Sequence, residues 1–158
     1  MTERREWMPR AEWDALVRGE GCPLCVEVAA LESVNTYGHT IADLRLSRLR
    51  LASNQSVRGY CVLICSKHVR EPYELSGKDR RAFFEEMMQA GQALESVFQS
   101  IKMNFEILGN AVPHLHCHII PRYYGDRAPG LPIHPDEEVV HLTVEEYEQQ
   151  VASIRSTL

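Results

Sequence analysis

The run His114-Leu115-His116-Cys117-His118-Ile119-Ile120 constrains this chain more than any other stretch. Imidazole and apolar side chains alternate with a period of two, which places the three rings on one face of a strand and Leu115, Cys117 and Ile119 on the other. A helix would scatter them. Each neutral imidazole carries one donor and one acceptor, so an apolar core cannot satisfy three at this spacing. The strand therefore belongs in a sheet covered on its apolar face, with chemistry on the histidine face. Two chemistries suit it: a metal cage of imidazoles, or a histidine nucleophile flanked by helpers. Spacing alone does not separate them.

The rest of the chain supplies what such a strand needs. Gly59-Tyr60-Cys61-Val62-Leu63-Ile64-Cys65 is a continuous apolar run of the kind found in central strands. Ahead of it, Ile41, Leu44, Leu46, Leu49 and Leu51 predict a strand pair, closed by a turn at Ser53-Asn54-Gln55-Ser56. Ser76 and Asp79 read as a capping box, and Phe84, Met87, Gly91, Leu94, Phe98 and Ile101 recur at helical spacing, predicting a helix from about Ser76 to Ile101. Phe105 to Leu108 and His114 to Ile120 predict two further strands separated by a turn at Gly109-Asn110, the second ended by Pro121.

Arg10 to Gly19 predicts a short helix in a leading segment, 1–20. The Gly and Pro punctuation between Tyr123 and Pro135 predicts a loop, taken as 125–140, and Thr143 with Glu146 caps a terminal helix over 143–158. Grouped strands with inserted helices imply an α+β fold with an antiparallel sheet, and 158 residues without a repeat or linker imply one domain.

A formal charge of -5 argues against a general nucleic-acid coat, and no apolar run approaches the roughly 20 residues of a membrane span. Met1 to Arg10 lacks the apolar core of a signal peptide, so the cytoplasm is the expected compartment. There the Cys22/Cys25 pair would stay reduced, which favours metal over a disulfide. Cys61, Cys65 and Cys117 sit in apolar stretches and read as core. His39, His134 and His141 read as solvated loop residues.

The heptapeptide from His114 to Ile120 matches in full the His-φ-His-φ-His-φ-φ signature, φ being apolar, of the histidine-triad (HIT) family, which the chain resembles. The resemblance extends to Cys22-Pro23-Leu24-Cys25, to Arg58-Gly59-Tyr60 where the family has Pro-Gly-His/Tyr, to Lys67-His68-Val69, and to Gly109-Asn110-Ala111-Val112-Pro113. It implies an enzyme acting at the α-phosphate of a nucleotide, with a phosphoramidate, a dinucleoside polyphosphate or a similar substrate. His116 would be the nucleophile, and His118 would contact the α-phosphate or the leaving group. Asn110 stands where Gln is usual, and Asn54 and Asn104 are further nucleotide-site candidates. The resemblance also implies a structural zinc on Cys22, Cys25, His68 and His114, as in the family's zinc-carrying bacterial branch. It implies a homodimer formed through the long helix and central strand.

Two other readings compete. A nucleotide-binding module without turnover would be marked by loss of the central histidine, which is intact. A zinc hydrolase using all three triad histidines as ligands would leave Cys22, Cys25 and His68 unexplained.

Overall fold

A computed structural model describes residues 6–158; the first five residues of the leading segment lie outside the described part. Six strands form one sheet: β1 (Val34–Asn35), β2 (Gly38–Asp43), β3 (Ser47–Ala52), β4 (Cys61–Cys65), β5 (Lys102–Glu106) and β6 (His116–Arg122). Their order is β1-β2-β3-β4-β6-β5, with every neighbouring pair antiparallel. Four helices accompany it: α1 (Arg10–Val17), α2 (Pro23–Ala29), α3 (Gly77–Phe98) and α4 (Val144–Arg155). The expected α+β antiparallel architecture is what the chain adopts.

Register explains how one sheet serves two purposes. Leu49 pairs with Leu63 and Leu63 with Cys117, while Leu51 pairs with Cys61 and Cys61 with Ile119. Directly opposed residues share a face, so these form an apolar floor. It packs against Phe83, Met87, Ala90, Leu94 and Phe98 of α3 and Tyr147, Val151 and Ile154 of α4. Cys61, Cys65 and Cys117 are buried here, as their sequence context predicts. The alternate rows run Arg48–Ile64–His116 and Arg50–Val62–His118 on the opposite face. That face is covered by Leu24 and Val28 of α2 and by Ile133 from the loop that follows β6.

Several boundaries differ from expectation for identifiable reasons. Pro121 lies within β6, paired with Met103, instead of ending the strand. The Cys65 amide donates to the Leu115 carbonyl, so odd-numbered residues of this segment address β4. β4 begins only at Cys61, and the missing N–H of Pro121 faces no strand partner. Helix α3 stops at Phe98 because Gln99 adopts a left-handed cap with φ 55°. The next strand then starts early, at Lys102, and leaves Ile107 and Leu108 outside it. At the other end of α3, Ser76 accepts from the Asp79 amide, but the Asp79 carboxylate takes Lys67 and Arg45 in place of the reciprocal bond.

Candidate active site and metal cluster

The first triad residue lies just ahead of β6, and its carbonyl orients the second. His116 Nδ1 is 2.6 Å from the His114 oxygen. A carbonyl only accepts, so Nδ1 must carry the proton and Nε2 is left with its lone pair free. His116 is 9% exposed. Burial, seconded by the Arg50 cation, holds its basicity below that of an ordinary histidine. At neutral pH the ring is uncharged, with a fixed tautomer and a bare Nε2.

His118 stands two positions on, its ring centroid 5.0 Å from that of His116. Its Nδ1 is 2.6 Å from the Tyr60 hydroxyl. Burial, with smaller contributions from His116 and Arg50, pushes His118 down to about 4, so it too is neutral at pH 7.

The remaining imidazole of the triad belongs to a second site. Cys22 caps the N-terminus of α2 and Cys25 lies in its first turn, opposite His68 and His114. One donor atom from each of these four residues lies within 4.8 Å of all the others. His114 Nε2 donates to the Cys65 carbonyl at 2.7 Å, and His68 Nε2 donates to the Val17 carbonyl at 3.1 Å. Both rings therefore turn the lone pair of Nδ1 inward, with the two nitrogens 3.2 Å apart. Cys25 Sγ is 3.2 Å from His68 Nδ1 and 3.5 Å from His114 Nδ1, and Cys22 Sγ is 3.5 Å from His114 Nδ1.

Facing lone pairs at this separation repel unless a cation lies among them. Tetrahedral bonds of about 2.0–2.3 Å place donor atoms roughly 3.3–3.8 Å apart, close to the observed spacings. Burial and the neighbouring Cys22 push the Cys25 thiol up to about 11. The four residues can hold a metal, and the backbone acceptors behind both histidines are the supports such ligands use.

The asparagine candidates have other partners. Asn54 donates to the carbonyls of Pro135 and Glu138 and accepts from the amides of Ser56 and Val140, so its side chain clamps the loop after β6. Asn104 accepts from Arg122 at 2.8 Å and lines a groove of about 960 Å³ between β5 and residues 122–132. Asn110 is exposed in the connection between β5 and β6. Of the histidines expected to be solvated, His39 is instead half-buried on β2, stacked on Tyr147 with ring centroids 4.4 Å apart.

Two contributors escaped the sequence reading. Arg50 is 7% exposed and pairs with the equally buried Glu27 at 2.6 Å, placing an ion pair on the triad face. Tyr60 was legible as part of an apolar run and of the Arg58-Gly59-Tyr60 motif, but no role at the site was read for its hydroxyl. The alternation of Arg48 and Arg50 with Leu49 and Leu51 is the one signal that could have exposed the arginines.

An antiparallel sheet thus presents His116 and His118 on one strand, with a partly buried Cys/Cys/His/His cluster at its head. The HIT domain family model matches residues 34–125, and the chain belongs to that family. It is 29% identical over 112 residues to "Protein hit" of Bacillus subtilis (strain 168), covering 66% of this chain and 72% of that one. Among solved structures, a histidine triad protein from Bradyrhizobium japonicum aligns with a TM-score of 0.71 at 24% identity, covering 77% of this chain and 90% of that one. A Zn-bound histidine triad family protein from Mycobacterium smegmatis aligns with a TM-score of 0.60 at 16% identity, covering 86% and 91%. Among the described residues, no helix is long and apolar enough to cross a membrane.

Proposed function

We propose that the protein is a hydrolase or nucleotidyl transferase that works at the α-phosphate of a nucleotide through a covalent intermediate on His116. The observation that carries this reading is the His116 tautomer: Nδ1–H is spent on the His114 carbonyl, and Nε2 is bare on the triad face. In this reading Nε2 attacks phosphorus, a P–N bond forms, and the bond to the leaving group breaks with its electron pair on that group. The carbonyl of His114 stabilises the ring as it becomes cationic. Water, phosphate or another acceptor then attacks phosphorus, the P–N bond breaks, and the pair returns to Nε2. His118 supports charge developing on a substrate oxygen.

We assign the metal as zinc, held by Cys22, Cys25, His68 and His114. This rests on the two-thiol, two-imidazole donor set, and a similar fold is known in a Zn-bound protein. When bound, zinc keeps both thiols deprotonated and contributes folding free energy. The side chain of His114 thus serves structure and its carbonyl serves catalysis. Five free cysteines suit a reducing compartment, and we place the protein in the cytoplasm.

Brief mixing with a panel of nucleoside phosphoramidates and dinucleoside polyphosphates, with and without inorganic phosphate, tests the reading. The expected result is an acid-labile nucleoside monophosphate mass on the peptide containing His116. Turnover without that mass would refute the covalent step. Binding of the panel without any turnover would favour the binding-module alternative.

We also propose a homodimer. β4 is hydrogen-bonded on both edges, so a second copy that extended the sheet would do so at an edge strand. Of the two sheet edges, β1 and β5, the second carries exposed Phe105 with Ile101 just ahead of it, and α3 adds Phe84 and Met88. Sedimentation at micromolar concentration is expected to give twice 18.1 kDa; a particle of 18.1 kDa would overturn the proposal.

A further inference from the structure

We propose that Tyr60 is a positioning residue for His118: its hydroxyl donates to Nδ1 and thereby leaves Nε2–H as a hydrogen-bond donor aimed at a substrate oxygen. The role rests on the reading of the triad given above, but the proton arrangement follows from the free protein alone.

Tyr60 Oη and His118 Nδ1 lie 2.6 Å apart, so one proton is shared between them and its owner sets the tautomer of the ring. Among the described residues Oη makes no second hydrogen bond. Were Nδ1–H the donor, the phenolic hydrogen would be left without an acceptor in a residue only 7% exposed. His118 Nε2 would also become a bare lone pair beside the bare Nε2 of His116. Two adjacent acceptors repel the anionic oxygens of a phosphate. With Tyr60 donating, His116 offers a lone pair to phosphorus and its neighbour offers N–H to oxygen, which is the pairing that nucleophilic attack on a phosphate requires.

The surroundings hold both partners in place. The Tyr60 amide donates to Val57, and its carbonyl accepts from Gln55 Nε2 at 3.0 Å, which fixes the backbone at the head of β4. The two rings lie nearly parallel, at 19° with centroids 6.0 Å apart. The charged and titratable groups acting on the pair are Asp136 from the loop, Arg50 from β3, Cys61 next to Tyr60 and Glu106 at the end of β5, with His116 beside His118. Burial keeps the phenol protonated far above neutrality, so it remains a donor throughout the working range.

Two measurements on the metal-loaded protein decide the matter. Long-range nitrogen–proton correlation spectra of ¹⁵N-histidine protein are expected to show His118 protonated on Nε2 and bare on Nδ1. Tyr60→Phe should release this preference. A wild-type ring protonated on Nδ1 would overturn the proposal whether or not a substrate is known. In turnover, Tyr60→Phe should lower kcat about tenfold with KM within about twofold, and the loss should grow with the basicity of the leaving group. In a His118→Ala background the same change should cost nothing further, because Tyr60 acts through that ring. An equal loss in both backgrounds would reduce Tyr60 to a packing role. Failure to label His116 with nucleotide would sink the enzymatic reading and leave the spectroscopic result to stand or fall by itself.

Discussion

Replacing His116 by Ala is expected to lower turnover by at least about 10⁴-fold while the protein stays folded and metal-loaded, because the proposed nucleophile has no substitute on this face. Among the described residues the side chain makes one hydrogen bond, to the His114 carbonyl, and that acceptor belongs to backbone already held by the Leu115 amide's bond to Val69 and the Cys65 amide's bond to Leu115. Removing the ring deletes chemistry and leaves a cavity of modest size. His118→Ala removes a contact to developing charge and keeps the nucleophile, so its cost should be smaller, about 10²–10³-fold. Parallel measurement of kcat in both variants, with circular dichroism and metal content as controls, separates nucleophile from helper. Near-normal turnover in His116→Ala would refute the covalent assignment. Equal losses in the two variants would argue that the histidines act as one metal-like unit.

What could be read from the chain, and what could not, follows from the range over which each feature is determined. The alternation of β6 and the helical stripe of α3 are local patterns with strong periodicity, and both elements form where expected. Helix α2 was missed because it is 7 residues long, begins with Pro23, and buries little apolar surface beyond Leu24 and Val28. Its partners lie far away in sequence: the Cys22 and Cys25 sulfurs meet His68 and His114, while Glu27 meets Arg50. Arg48 and Arg50 look like the wet face of a strand until that helix covers them. Arg48 then donates to the carbonyls of Glu27 and Ala30, holding the C-terminal end of α2 on the sheet.

The candidate site divides along the same line. Side chains on one strand, His116 and His118, came out together because spacing alone places them. The four cluster residues were assembled by family resemblance, and the fold does bring their donor atoms within 4.8 Å of one another. Asn54 shows where resemblance stops, since a turn residue with a free amide on paper is committed to a loop 81 or more positions away. Tyr60 shows the converse: a residue that the sequence placed in a motif without a role carries a hydroxyl whose one partner among the described residues is a triad ring.

Cys22→Ser tests the metal cluster with little disturbance of the fold around it. The new side chain is nearly isosteric, and Ser is among the preferred N-cap residues, so the start of α2 should form at least as well as with Cys22. Any loss is then attributable to the missing thiolate. Metal content is expected to fall from about one equivalent per chain to well below that, and the melting temperature by about 10 °C or more, as several kcal/mol of metal-linked folding free energy disappear from a domain of this size. Activity should follow the folded fraction, because the cluster and the nucleophile share His114: its Nδ1 faces the metal donors while its carbonyl holds the His116 proton. At temperatures where the variant remains folded, the His116 intermediate should still form, more slowly as that carbonyl gains freedom. Full metal occupancy in Cys22→Ser, an unchanged melting temperature, or wild-type protein isolated metal-free without chelator would each remove the structural role assigned to the cluster. Immediate loss of turnover on chelation of a still-folded wild type would instead move the metal from the scaffold into the reaction.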